Sequence, residues 1–474
     1  MGFLIYDLIF LAFFLIVFSI LLYMRRKNLK RERLLYLYRT DWGVKLINRI
    51  GNKYKRTIKA LSYVSVALGY LLMLGVFYLT YTIIKIYVFN PSIVRAIKVP
   101  PIMPLIPYLP QVFKLEFLPP FYFTYWIVII AIIATTHEMA HGIFAAYNKI
   151  KIKNTGFGFF PFFLPIFLAA FVELDEKVML KKKKFSQLTI LSAGTFANVL
   201  TVILFLGVLL IFFSMAFIPS GVIFDTYATS TIAIAGISSI NNVQLNDTSY
   251  DVILGLMHEE GFNEIIAGNI FYLSTKEMLK KQQGNESIIV YNSAPAIKGN
   301  LSSIITEING VKINSIDGLI GELAKYDIRD EITVKTITEE GVVEKTLVLE
   351  EHPDAPGTAW LGIGFISKEA TGILGKITNT LSFKKSNVYY EPKFNGLSIF
   401  IYNLLWWIII ISISVALINM LPVGIFDGGR FFYLTVLALT KSEKTAKRFF
   451  IFSTQFFIFI LVLLLIFWGI SFIR

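Results

Sequence analysis

The chain has 474 residues, 55% hydrophobic and only 16% charged, with a net charge of +13 and a mean hydropathy of +0.65. Soluble globular chains carry about 45–50% apolar and about 25% charged residues, so this composition excludes a soluble enzyme, a disordered tail protein and a fibre. The lack of Cys excludes disulfides, iron–sulfur clusters and Cys-ligated zinc, and the positive charge lies in loops beside apolar runs, where anionic lipid headgroups rather than nucleic acid account for it.

A membrane span needs about 20 mostly apolar residues. Gly2–Tyr23 is the first, interrupted only by Asp7; without a basic leading region or an A-x-A site it reads as an uncleaved span. Further spans are expected within Ile58–Phe89, Phe121–Tyr147, Phe185–Phe217, Leu397–Leu421 and Phe449–Ile473. Phe157–Phe171 is too short and Pro-broken to span, and suggests a re-entrant or hairpin segment lying against the helices. Arg25–Lys59 carries 13 Lys and Arg against two acids, Lys149–Lys184 carries eight basic residues and Arg430–Arg448 five. Positive-inside counting places these three loops in the cytoplasm, and both termini and the long polar segment 218–395 outside.

The domain plan follows. Residues 1–24 form the first span, 25–57 a basic cytoplasmic loop, and 58–120 the second span with a Pro-rich external loop. Residues 121–217 hold the third and fourth spans around a cytoplasmic hairpin, 218–395 an external region, and 396–474 the last spans. The fold class is a polytopic α-helical membrane protein of about six transmembrane helices with an inserted α+β domain. Within that insert, SIIVYNSA, EITVKTIT and EKTLVLEE alternate like strands. Ile237–Asn246 (ISSINNVQLN) matches Ile305–Asn314 (ITEINGVKIN) at an offset of 68, the mark of one small module used twice.

The chemistry lies inside the apolar runs. His137-Glu138-Met139-Ala140-His141 is an H-E-x-x-H motif; on a helix, positions i and i+4 share a face, so both imidazoles can reach one Zn²⁺. Glu138, beside them, is placed to take a proton from water at the metal. The preceding WIVIIAIIATT is uncharged, so these ionisable groups sit within a span, where they are costly and mark function. His258 and His352 fall in the polar insert and read as ordinary surface residues. Tetrahedral zinc needs a further protein ligand. The best candidate is Asp427, in the Pro- and Gly-broken stretch Asn419–Arg430 (NMLPVGIFDGGR) between two apolar runs. His137 stands about 18 Å of helix from the cytoplasmic end of its span, and the fifth span delivers Asp427 toward the same face.

H-E-x-x-H in a span, followed far downstream by N-x-x-P-x-x-x-x-D-G, resembles the site-2 protease family of intramembrane zinc metalloproteases. The resemblance implies one Zn²⁺ per chain on His137, His141 and Asp427, with Glu138 as the catalytic base. Gly194–Asn198 (GTFAN) is similar to the family's G-P-x-x-N element, with Thr195 where Pro is usual. The family's asparagines imply substrate-binding roles for Asn198 and Asn419. Asn292–Ala296 (NSAPA), IITEINGVKINS and Trp360–Gly364 (WLGIG) look like PDZ landmarks, so the insert is expected to hold one PDZ-like module or a tandem pair. Such a region binds extended peptides at a sheet edge, or bars substrates with bulky external domains. The implied activity is hydrolysis of peptide bonds within or near transmembrane helices of membrane-anchored proteins, with the active site near the cytoplasmic side of the cell membrane. Two other readings compete: a membrane zincin with a downstream Glu as third ligand, and a catalytically silent scaffold binding peptides through its PDZ-like region. No downstream Glu lies in an apolar span, and the intact motif argues against a silent scaffold.

Overall fold

The computed structural model describes residues 3–32, 35–97, 99–159, 168–338, 340–366 and 383–471. It divides into two compact units, Met1–Phe213 with Ile399–Arg474, and Ser214–Ser398.

Six helices of the described residues are long and apolar enough to cross a membrane. They are α1 (Phe3–Met24), α3 (Lys55–Phe89), α4 (Phe123–Tyr147), α5 (Lys184–Ala216), α6 (Asn395–Asn419) and α8 (Glu443–Ile470). Each falls where hydropathy placed it. All but α4 leave large apolar side chains on the outside, as a lipid-facing helix requires, whereas the large apolar side chains of α4 are buried or half-buried. The shorter helix α7 (Asp427–Thr440) lies between α6 and α8. A core of Leu72, Phe144, Leu188, Leu191, Ala416 and Phe431 ties α3, α4, α5, α6 and α7 together.

Residues 25–57 differ from the expected loop. They form strands β1 (Leu29–Glu32) and β2 (Leu35–Thr40), then helix α2 (Val44–Lys53). The alternation in LYLYRT is a strand pattern that basic charge masked. Tyr36 and Tyr38 of β2 stack on Phe159 and Phe157 of the strand paired with it, with ring centroids 6.0 and 5.0 Å apart. The Phe-rich stretch is likewise a hairpin rather than a re-entrant helix: β3 (Ile152–Phe159) and β4 (Leu168–Leu174) pair antiparallel, completing a sheet of order β1-β2-β3-β4. Residues 160–167 lie outside the described residues.

The second unit holds two six-stranded sheets, each with its own apolar core. The sequence repeat is also a structural one. Asn241-Asn242 and Asn309-Gly310 all have positive φ, the geometry of the tight hairpin turn that such residues favour. In the first copy Asn241 N–H donates to the Glu264 carbonyl and its side-chain oxygen accepts from Glu264 N–H. In the second copy Asn309 does the same with Thr333. Each turn is followed by a short helix, Tyr250–Leu256 or Ile316–Leu323.

One polar contact orders the helical unit. Asp7 of α1 is buried at 1% exposure, and its carboxylate accepts from Tyr108 Oη (2.6 Å), Phe123 N–H (2.7 Å), Thr124 N–H (2.9 Å) and Thr124 Oγ1 (2.5 Å). Phe123 and Thr124 open α4, where the first N–H groups of a helix have no partner of their own. The lone acid of the first span thus caps the helix that carries H-E-x-x-H, from another helix. Asp7→Ala would leave four donors without an acceptor and is expected to lower unfolding stability by at least about 2 kcal/mol. Thermal unfolding of the detergent-solubilised chain measures this. A wild-type midpoint would show that the cap does not hold α4.

Candidate metal centre

The i, i+4 spacing on α4 brings His137 and His141 onto one face, with their Nε2 atoms 3.0 Å apart. Asp427, the first residue of α7, places Oδ2 3.5 Å from His137 Nε2 and 3.2 Å from His141 Nε2. Ligand atoms of a tetrahedral centre with bonds of about 2.0–2.1 Å stand about 3.3 Å apart, and the three separations bracket that value.

Helix α5 supplies the floor. A Cβ on Gly194 would lie 2.4 Å from both Nε2 atoms, so glycine leaves open the space a metal ion would fill. The ring faces are fixed from the other side. His141 Nδ1 lies 2.7 Å from the Ile190 carbonyl, which can only accept, so Nδ1 carries the proton and Nε2 is free to ligate. His137 Nδ1 lies 3.1 Å from the side-chain amide of Asn198, a fully buried residue whose Oδ1 has no partner. Turning the amide over would put Oδ1 on a protonated Nδ1 and leave His137 Nε2 free in the same way. Asn198 therefore sits behind a histidine. Thr195 does not interrupt α5; its hydroxyl donates to the Ser192 carbonyl at 2.9 Å and the helix runs through.

Asp427 arrives by an irregular path. After Asn419 ends α6, residues 420–426 form turns, and a Cβ on Gly428 or Gly429 would come within 2.3 Å of the backbone of Met420 or Val423. Only glycine lets α7 start so close to the turn before it. The freed backbone groups find partners on α8: Ser453 Oγ donates to the Pro422 carbonyl at 2.9 Å, and Gly424 N–H donates to Thr454 Oγ1 at 3.2 Å. This is the condition for irregular backbone at membrane depth. Neither residue was singled out from sequence, although Ser453-Thr454 is a polar pair in an apolar run. Asn419 is half-buried at the end of α6.

Glu138 Oε2 accepts from Val172 N–H of β4 at 3.0 Å, which fixes one carboxylate oxygen and leaves Oε1 for chemistry. Strand β4 is in turn held by Glu173, which accepts from Asn154 Nδ2 (3.0 Å) and Arg39 Nε (3.1 Å). These two partners, Asn154 foremost, keep the Glu173 carboxyl below the usual carboxylate range. His258 is exposed and His352 half-exposed, and both belong to the second unit.

Two imidazoles and a carboxylate converging among membrane-length helices, with a second carboxylate on the next motif residue, are the makings of a membrane metallopeptidase. The chain belongs to peptidase family M50, the site-2 protease family, whose family model matches residues 125–350 and 354–464. No curated protein matches it significantly. The match spans α4, α5, α6, α7 and most of α8, and so includes every residue of the cluster.

The cradle makes a prediction. Gly194→Ala places a methyl between the two Nε2 atoms and is expected to lower metal per chain by about tenfold or more. Elemental analysis of the folded, detergent-purified variant checks this. Full occupancy would mean the metal does not sit over Gly194.

Proposed function

We propose that the chain is an intramembrane zinc endopeptidase that cuts membrane-anchored proteins within or near a transmembrane helix. The convergence of His137, His141 and Asp427 within 3.0–3.5 Å, deep among membrane-length helices, is the observation that carries this reading. Two neutral histidines and one carboxylate are a donor set suited to a single catalytic Zn²⁺ per chain with one position open. When bound, zinc supplies the Lewis acidity that polarises the scissile carbonyl and makes water a nucleophile at neutral pH.

The protein's groups do the rest. Glu138, anchored through Oε2, takes the proton of the attacking water at Oε1 and passes it to the leaving amine. Ile190 and Asn198 hold the imidazoles in the ligating tautomer, a role that the contact to His137 supports for Asn198 over direct substrate binding. Asn419 keeps its assignment as a substrate contact. A substrate helix hides its carbonyls in internal hydrogen bonds and must unwind first, and unwound backbone in a membrane needs partners. The open edge of β4, beside Glu138, offers them.

We assign the basic segments to the cytoplasmic face, in contact with anionic lipid, and the second unit to the outside. That unit we read as a tandem pair of PDZ-like modules, a reading supported by the repeated turn, strand and helix. Nucleic acid has no part in the activity.

Zinc content and cleavage of a membrane-embedded test substrate, measured together, test the assignment. Glu138→Gln should keep the metal and lose about 10³-fold in turnover, whereas Asp427→Ala should lose both. Full zinc and activity in Asp427→Ala would refute the ligand set, and full activity in Glu138→Gln the base. Orientation is separable: protease added outside right-side-out vesicles should cut within 218–395 and spare Lys181–Lys184, and the reverse pattern would invert the map.

A further inference from the structure

Helix α2 has two dissimilar faces. Toward α4 it is packed without slack. Ile47 is 1% exposed, and a Cβ on Gly51 would lie 2.7 Å from Ala146 Cβ and 2.8 Å from the Ile143 carbonyl oxygen. From the other side, a Cβ on Gly142 would lie 2.9 Å from Ile47 Cγ2. Gly142 follows His141 in the chain, so α2 bears directly on the turn that carries one of the metal-centre histidines. A backbone contact this close transmits displacement, because neither helix can move without the other.

The opposite face carries Lys45, Arg49 and Lys53, continued by Lys55, Arg56 and Lys59 at the base of α3, all exposed. Between residues 41 and 59 the only acid is Asp41, and among the described residues none of these six cations is joined to a carboxylate. Interleaved with them are Trp42 (79% exposed), Leu46 (49%) and Tyr54 (50%). A free anion in solution would answer the cations and leave the indole and leucine without a partner. A lipid surface answers both, since headgroup phosphates meet the cations while the apolar groups enter the acyl boundary. The position agrees. At about 1.5 Å per residue, the 35 residues of α3 exceed a hydrocarbon core of about 30 Å, so its basic first turn and the adjoining α2 fall at the headgroup level.

We infer that α2 is a docking element for anionic phospholipid, coupled through Ile47, Gly51 and Gly142 to the His141 turn, so that headgroup binding tunes the metal centre. The coupling to turnover rests on the peptidase reading, whereas lipid contact and metal retention do not.

The chain has no Cys, so Asn52→Cys, on the same helix face as Lys45 and Arg49, accepts one polarity-sensitive fluorophore. Labelled and unlabelled full-length chain is reconstituted in phosphatidylcholine vesicles with and without about 30 mol% phosphatidylglycerol, and three quantities are read: label emission, the rate at which a chelator strips zinc, and substrate cleavage. Phosphatidylglycerol should shift the emission toward an apolar environment and change both the stripping rate and cleavage by about fivefold or more, an effect that high salt removes. Lys45→Gln/Arg49→Gln/Lys53→Gln should match wild type in phosphatidylcholine and lose the response to phosphatidylglycerol. Ile47→Ala should keep the emission shift and lose the other two responses. Equal emission in both vesicle types would overturn the docking surface. A wild-type stripping rate indifferent to lipid, or a full response in Ile47→Ala, would overturn the coupling. Absence of Glu138-dependent cleavage in every vesicle, with stripping still lipid-sensitive, would remove the peptidase reading and uphold the coupling.

Discussion

Within a bilayer, a polar group that finds no partner in the protein finds none at all. A metal site needs several polar groups in one place, along with helix ends and turns that expose more of them. The helical unit is arranged around meeting that demand. Asp7 answers the first N–H groups of α4, Ser453 and Thr454 answer the broken backbone before Asp427, and Ile190 and Asn198 answer the far nitrogens of the two imidazoles. None of these residues is among the three proposed ligands. Each fixes a ligand-bearing segment that would otherwise be free to satisfy itself by moving.

The division of labour explains which features could be read from sequence. The spans were legible because their signal is additive over about 20 residues and indifferent to what each helix packs against. The histidines and Glu138 were legible because their spacing is local, and Asp427 because a carboxylate in a Pro- and Gly-broken apolar region has little structural reason to exist. Long-range satisfaction was not legible. Nothing in the first span says that Asp7 will meet residues 108, 123 and 124, because the pairing is set by how α1 lies against α4. The β1–β2 hairpin and α2 were hidden for a different reason. The 13 Lys and Arg of Arg25–Lys59 against two acids are a topology signal so strong that they mask local periodicity, although LYLYRT alternates and VKLINRIGNK is amphipathic. Charge and secondary structure are independent properties, and a basic stretch can be both cytoplasmic and ordered.

Asn198 illustrates how geometry redirects a motif. Its place in G-x-x-x-N suggests a substrate contact by resemblance, and the structure adds a contact to His137. Helix α5 runs through that element without a break, so Asn198 stands one turn along from Gly194 on the same face. Gly194 opens the space in front of the imidazoles, and Asn198, one turn further, reaches behind His137. One helix therefore serves both the open and the closed side of the same ring.

The glycines complete the argument. Hydrophobic burial gives helices in lipid little reason to associate, so close backbone approach and interhelical hydrogen bonds must hold them. Gly51 and Gly142 bring α2 onto α4, Gly194 brings α5 under the histidines, and Gly428 and Gly429 fold α7 back on the turn that precedes it. All five cluster around the residues proposed to hold and use the metal, on four different helices. A larger side chain at any of them would separate backbones that carry ligand-bearing turns, and polar partners held at 2.7–3.5 Å do not survive such a separation. The polar site is thus possible in the membrane because small residues draw the helices close enough for the few available partners to reach.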